Sequence, residues 1–182
     1  MARIFEYGNL ARTSNKTDLV LPGEFVDAQG VRFAEAGWMT DGNDVEFGEI
    51  VEITGRNGKA LQIKRVAAAT ITAARAGFVI RDIVGGRVIQ QGVIEGIKGG
   101  THVPVTVIPA SSANGWGFAI AVGEAVAAGD QVYVGKGTNG KKLGVAYKTS
   151  GNDTVAITGW KFTSASYKPT SSDSLAAFVG KE

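Results

Sequence analysis

The sequence predicts an all-β protein, a β-barrel or jelly-roll-like sandwich, on three observations. Short runs alternate apolar with polar residues, turn dipeptides recur between them, and glycine is in excess. There are 26 glycines among 182 residues against only 4 prolines, about twice the usual glycine share of roughly 7%. Glycine reaches positive φ without steric penalty, so the excess signals many tight turns inside a folded body. Short strands with turn signals every 8–12 residues or so mark sandwiches and barrels. No strand alternates with a long helical pattern, which argues against a parallel α/β sheet.

Residues 1–20 begin with the apolar Ile4, Phe5 and Tyr7 and continue through the polar stretch Arg12-Thr-Ser-Asn-Lys-Thr-Asp18. We read them as an N-terminal arm, with an edge strand plus loop as the alternative, and residues 21–182 as a single barrel or sandwich domain. From Val45 the pattern is β: Val45, Phe47, Val51 and Ile53 share one parity, Glu46, Gly48 and Glu52 the other, and Ile50 breaks the alternation. Asn57-Gly58 follows, the dipeptide suited to a type I′ hairpin turn, and Leu61 and Ile63 resume the alternation. Between Val66 and Ala76, alanines compete with Thr70, Ile71 and Thr72, so this is where at most one short helix is expected.

Gly77 to Asp82 reads as a strand and Gly85-Gly86 as a turn, followed by the apolar pairs Val88-Ile89 and Val93-Ile94. Val103, Val105 and Val107 then face one way. Pro104 lacks an amide donor, which puts this strand at a sheet edge or its proline at a non-bonding position. Phe118, Ile120 and Val122 repeat the alternation. Gln131 to Val134, the turn Asn139-Gly140, Leu143 to Val145 and Val155 to Ile157 complete the series, and Leu175 to Val179 is expected to dock as a last strand. No internal repeat has a fixed period.

The search for chemistry turns up missing parts. Cysteine is absent, which removes thiolate metal sites, disulfides and thiol nucleophiles and suits a reducing compartment. No apolar run approaches the roughly 20 residues that span a bilayer, and no secretory signal is recognisable, so a protein made and used in the cytoplasm is expected. The net charge of +2 comes from 19 basic and 17 acidic residues interspersed along the chain, which indicates neither a nucleic-acid groove nor a membrane surface. His102 has no second histidine for a zinc or Ser-His arrangement. Asp41 and Asp44 flank Gly42-Asn43 as a turn and lack the spacing of a calcium loop. Gly135-Lys-Gly-Thr-Asn-Gly140-Lys-Lys142 lacks the phosphate-loop order and reads as a hairpin tip. There is no Gly-x-Ser-x-Gly elbow. We therefore expect no enzyme, catalytic residue, metal or cofactor; a hydrolase would need two carboxylates facing one cleft at roughly 5–9.5 Å. Trp38, Trp116 and Trp160 each adjoin a glycine. Such aromatics plug a barrel end, or else anchor an interface or a sugar.

Several segments in order resemble the phage structural cement, or capsid decoration, family. They are Ala34-Glu-Ala-Gly-Trp-Met-Thr-Asp41, Glu46-Phe-Gly-Glu-Ile-Val51, Ala76-Gly-Phe-Val-Ile-Arg-Asp82, Val103-Pro-Val-Thr-Val107, Ala125-Val-Ala-Ala-Gly-Asp-Gln-Val-Tyr-Val134 and Thr158-Gly-Trp-Lys-Phe-Thr-Ser-Ala165. The chain departs from the family pattern in its long segment before Phe33 and in the polar insertion around Ser111 to Asn114. The resemblance implies a virion protein on the capsid exterior that ties neighbouring major capsid proteins together and acts as a homodimer or homotrimer. On that reading Ile4, Phe5, Tyr7, Arg12, Trp38 and Trp116 are the candidate capsid or subunit contacts. The competing function is a fibre, head-fibre or tail module that binds host-surface carbohydrate through exposed tryptophans; buried rings favour the first reading, and coplanar exposed rings the second.

Overall fold

The computed structural model describes residues 22–23, 35–41, 45–66, 71–72, 74–80, 104–111, 118–169 and 175–181. Ten strands run through them: β1 (Glu35–Met39), β2 (Ile50–Asn57), β3 (Ala60–Arg65), β4 (Ala76–Val79), β5 (Pro104–Pro109), β6 (Phe118–Val122), β7 (Gln131–Gly135), β8 (Ala146–Tyr147), β9 (Thr154–Phe162) and β10 (Leu175–Lys181). No helix occurs among the described residues. The expected all-β class is the one adopted, as closed barrels.

The first barrel runs β1-β3-β2-β4-β5, and β5 pairs back on β1. Side chains of a strand alternate between faces, so one parity from each strand points inward. Met39, Val51, Ile63, Val79, Val105 and Val107 form that buried cluster. The opposite parity carries Ile50, Phe78 and Ile108. They are equally buried, because they pack into the core of the second barrel. Every residue of β4 is buried for this reason; a strand covered on both faces reads as a continuous apolar run.

The second barrel runs β6-β8-β7-β9-β10 and closes by pairing of β10 with β6. Its inward Phe118, Ile120, Val122, Val132 and Phe162 share one cluster with the outer face of the first barrel. At the junction the Phe78 ring lies 4.9 Å from that of Phe118 and 4.6 Å from that of Trp160. Tilted aromatic pairs of this kind add about 0.5–1.5 kcal/mol beyond their buried area.

Main-chain bonds reinforce the junction. β8 has 2 residues where β3 has 6, which shortens its pairing with β6. The first barrel occupies that place: the Ala121 N–H donates to Gly48 O at 3.0 Å, and the Ile50 N–H donates to Gly144 O at 2.8 Å.

Local structure differs from the sequence reading at three places. The strand expected from Val45 begins at Ile50. Before it, Glu46 to Glu49 makes a turn in which the Glu49 N–H donates to Glu46 O at 3.2 Å and Gly48 sits at φ 81. Ile50 thus breaks no alternation; it faces the second barrel. The hairpin at Asn57-Gly58 is present, but Asn57 pairs with Ala60, so Gly58 and Lys59 are its loop residues. Only Gly58, at φ 60, has a positive φ, the type II′ pattern. The expected turn at the second dipeptide is present and is type I′: Asn139 and Gly140 sit at φ 47 and 79, and the Lys141 N–H donates to Thr138 O at 2.9 Å. Finally, of the two readings of Pro104 the sheet edge fails, since β5 lies between β1 and β4. Pro104 is its first residue, across from Trp38, a position where proline is tolerated. In the stretch 66–76 no described residue is helical.

Three outcomes follow for stability. Phe78→Ala removes the ring shared by both barrels and should cost about 3–5 kcal/mol, with far-UV dichroism and tryptophan fluorescence reporting one coincident transition. Gly129→Ala should cost only about 1–2 kcal/mol for its positive φ, since nothing lies within 4 Å of the added Cβ. Gly48→Ala should cost more in urea denaturation, because its Cβ would stand 2.5 Å from Pro22 Cβ and 2.9 Å from Ala121 N.

Candidate functional site

Of the candidate contact residues, the described one is Trp38. It lies half-buried on the outward parity of β1, across from Gln62 of β3 and Pro104 of β5. Ile4, Phe5, Tyr7, Arg12 and Trp116 lie outside the described residues, as do His102 and Asp44. Trp160 is a core residue with 0% exposure, wedged against Phe78 and Phe118. Its indole Nε1 has no hydrogen-bond partner. The two described tryptophans therefore take different roles: Trp38 is on the wall of the first barrel, and Trp160 is inside the shared core.

A cleft of about 770 Å³ opens where the turn Glu46 to Ile50 meets the second barrel; Glu46, Glu49, Arg65, Lys141, Leu143 and Tyr147 are among the residues that line it. On the first-barrel side, Arg65 Nη2 donates to both carboxylate oxygens of Glu49, at 2.7 and 2.9 Å. The Glu46 N–H also donates to Glu49 Oε2, at 2.9 Å. Asp41 accepts the Arg65 N–H at 2.8 Å. Glu49 is only 4% exposed, and burial pushes its carboxyl from 4.5 up to about 7, against the pull of the Arg65 charge and the Glu46 amide.

On the second-barrel side, Lys141 Nζ sits 3.1 Å from Glu124 Oε2 and 4.1 Å from the centroid of the Tyr147 ring. Tyr147 accepts the Lys142 N–H at 2.8 Å. Glu124 accepts the N–H groups of Lys148 and Thr149, each at 2.8 Å. Partial burial raises the Glu124 carboxyl, but the bonds from Thr149, Lys141 and Lys148 outweigh it and hold the group down at about 2.

Elsewhere on the first barrel, Glu52 is 1% exposed. It pairs with Arg75 at 2.7 Å, and its other oxygen faces Lys64 at 3.4 Å in an ion pair without hydrogen-bond geometry.

These charges tie loops to strands. Both Glu49 oxygens are engaged by Arg65, and one also by the Glu46 amide, so the carboxylate is not presented to a substrate as a general base would be. Among the described residues no group of three or more His, Cys, Asp or Glu could hold a metal ion. The sequence reading did not pick out Glu49 and Arg65. The signal was there: Glu49 is a charged residue between Phe47 and the pair Ile50-Val51, and a carboxylate in an apolar run needs a partner once buried.

The pH dependence follows from these groups. Between about 4.5 and 7 the folded state holds a proton on Glu49 that the unfolded chain has released, so stability falls as pH rises through this window, by about 3 kcal/mol. Glu124 acts oppositely and lower: its contribution is present above 4.5 and is lost as pH falls toward 2. Thermal melting should therefore occur at higher temperature at pH 5 than at pH 8, and Glu49→Gln should flatten that difference.

A search of curated proteins returned no match. Residues 8–176 match a family model described as the XM1 gp53 minor capsid protein. The match takes in β1 to β9 and the first residues of β10, and the chain belongs to the XM1 gp53 minor capsid protein family, structural proteins of the phage virion.

Proposed function

We propose that this capsid protein binds the outer surface of a tailed-phage head and cements neighbouring major capsid proteins. The observation that carries the reading is the family match along residues 8–176. Its physical support is the body itself: two barrels share one hydrophobic cluster and are joined by main-chain bonds. A cement must hold contacts at fixed separation, because the second contact of a stiff linker forms at high effective concentration once the first is made.

Trp38 on the first-barrel wall and the arm of residues 1–20 are the proposed contacts, and self-association as a homodimer or homotrimer would multiply them. The carbohydrate reading draws on exposed, coplanar tryptophans. Trp160 is unavailable for that, being wholly buried.

Purified protein mixed with empty expanded heads should sediment with them. A supernatant that keeps all the protein at micromolar concentrations would count decisively against cementing. Trp38→Ala, checked by melting temperature for intact folding, should weaken binding by roughly tenfold or more if Trp38 is an interface anchor. Deleting residues 1–18 should lower occupancy; unchanged occupancy would remove the arm from the mechanism.

A further inference from the structure

The two barrels have the same cyclic strand order, β1-β3-β2-β4-β5 and β6-β8-β7-β9-β10. In each, the first and third strands are parallel and the other neighbours antiparallel. The registers also agree. In the first barrel a path runs from Glu35 along β1 to Met39, across to Ile63, across to Ile53, back along β2 to Ile50, across to Phe78, on to Val79, across to Val107 and across to Glu35. In the second, the same steps lead from Phe118 to Val122, Ala146, Val134, Gln131, Lys161, Phe162, Val179 and back to Phe118. Both circuits close without a residue gained or lost. The differences lie off the path, in the extra β9 residues between the partners of Gln131 and Tyr133 and in the β2 irregularity between Ile53 and Gly55.

Details that barrel closure does not require also recur. The Glu46 N–H donates to the Glu49 carboxylate at 2.9 Å and the Ala127 N–H to that of Asp130 at 2.8 Å. The following backbone bonds repeat: Gly48 N–H to Val79 O and Val79 N–H to Glu49 O match Gly129 N–H to Phe162 O and Phe162 N–H to Asp130 O. Gly48 and Gly129 both have positive φ, 81 and 92. A trace persists in the residues: Gly48-Glu-Ile-Val-Glu-Ile53 beside Gly129-Asp-Gln-Val-Tyr-Val134, and Asn57-Gly-Lys-Ala-Leu61 beside Asn139-Gly-Lys-Lys-Leu143.

We infer that the chain is a tandem duplication of one five-stranded barrel, and that the outer face of Ile50, Phe78 and Ile108 is an interface whose partner is a second copy of the same module. In the second barrel the equivalent positions are Gln131, Lys161 and Gly180. That face has lost its apolar character, so it offers no equivalent apolar seat to a further copy.

Equivalent interior positions supply the test. Gly37 and Ile63 correspond to Ile120 and Ala146, so the two barrels exchange which strand carries the bulk. An added Cβ at Gly37 would lie 3.0 Å from Ile63 Cδ1. In the full chain, Gly37→Ile and Ile63→Ala should each lower the melting temperature. Combined, they should recover on the order of 5 °C relative to the summed losses, because the second barrel already packs that way. The reciprocal pair Ile120→Gly with Ala146→Ile should show the same coupling. If Gly37→Ile alone does not fold, a cooperative melt of its double variant supports the equivalence. A double variant that fails to fold while Ile63→Ala folds, or additive losses in either barrel, would overturn it.

Discussion

The arrangement rests on one contact, the packing of the first barrel's outer face against the core of the second. Phe78 is the centre of it, with Phe118 and Trp160 against its ring and Ile50 and Ile108 in the same cluster. Apolar area is taken from water on both sides at once, at roughly 25 cal/mol per Å². The two main-chain bonds from Ala121 and Ile50 add less energy and more geometry. A hydrogen bond net contributes only about 0.5–1.5 kcal/mol, but it fixes the approach of the turn Glu46 to Ile50 to within its narrow distance range. Gly48 makes the approach possible, since a side chain there would meet Pro22 and the β6 backbone.

That contact also sets the electrostatics. Bringing the turn against the second barrel covers Glu49, and only the bond pattern with Arg65 and the Glu46 amide keeps the ion tolerable there. A buried pair of this type is weak evidence of stabilisation in itself, because desolvation opposes the Coulomb attraction. Its observable effect is the raised carboxyl, which ties the junction to pH near neutrality. Glu124, on a better solvated loop and held by N–H donors, is displaced the other way. Two glutamates beside one cleft thus differ in charge behaviour because one is desolvated and the other is hydrogen-bonded.

For a structural protein of the virion, a stiff junction matters more than any single side chain. Two bodies on a flexible tether would lose much of the gain of simultaneous attachment. The shared core removes that freedom, which is how the packing at Phe78 connects to the proposed cementing role.

Much of the local structure was legible from residue pattern. Alternation at Leu61 and Ile63 and at Phe118, Ile120 and Val122, the Asn139-Gly140 turn, and the last strand at Leu175 to Val179 are dictated by chemistry within a few residues, as is the all-β class. Misreadings came where distant chain decides: Ile50 looked like a break in the alternation only because its outer-face partner lies in the second barrel, and the edge reading of Pro104, one of two, fails because β1 on its flank comes from residues far upstream. Closure into two barrels, the likeness of their registers, and the pairing of Glu49 with Arg65 were decided by the tertiary structure. Each depends on which strands meet, and strand pairing is a matter of long-range contact that leaves only a faint periodic mark in the sequence.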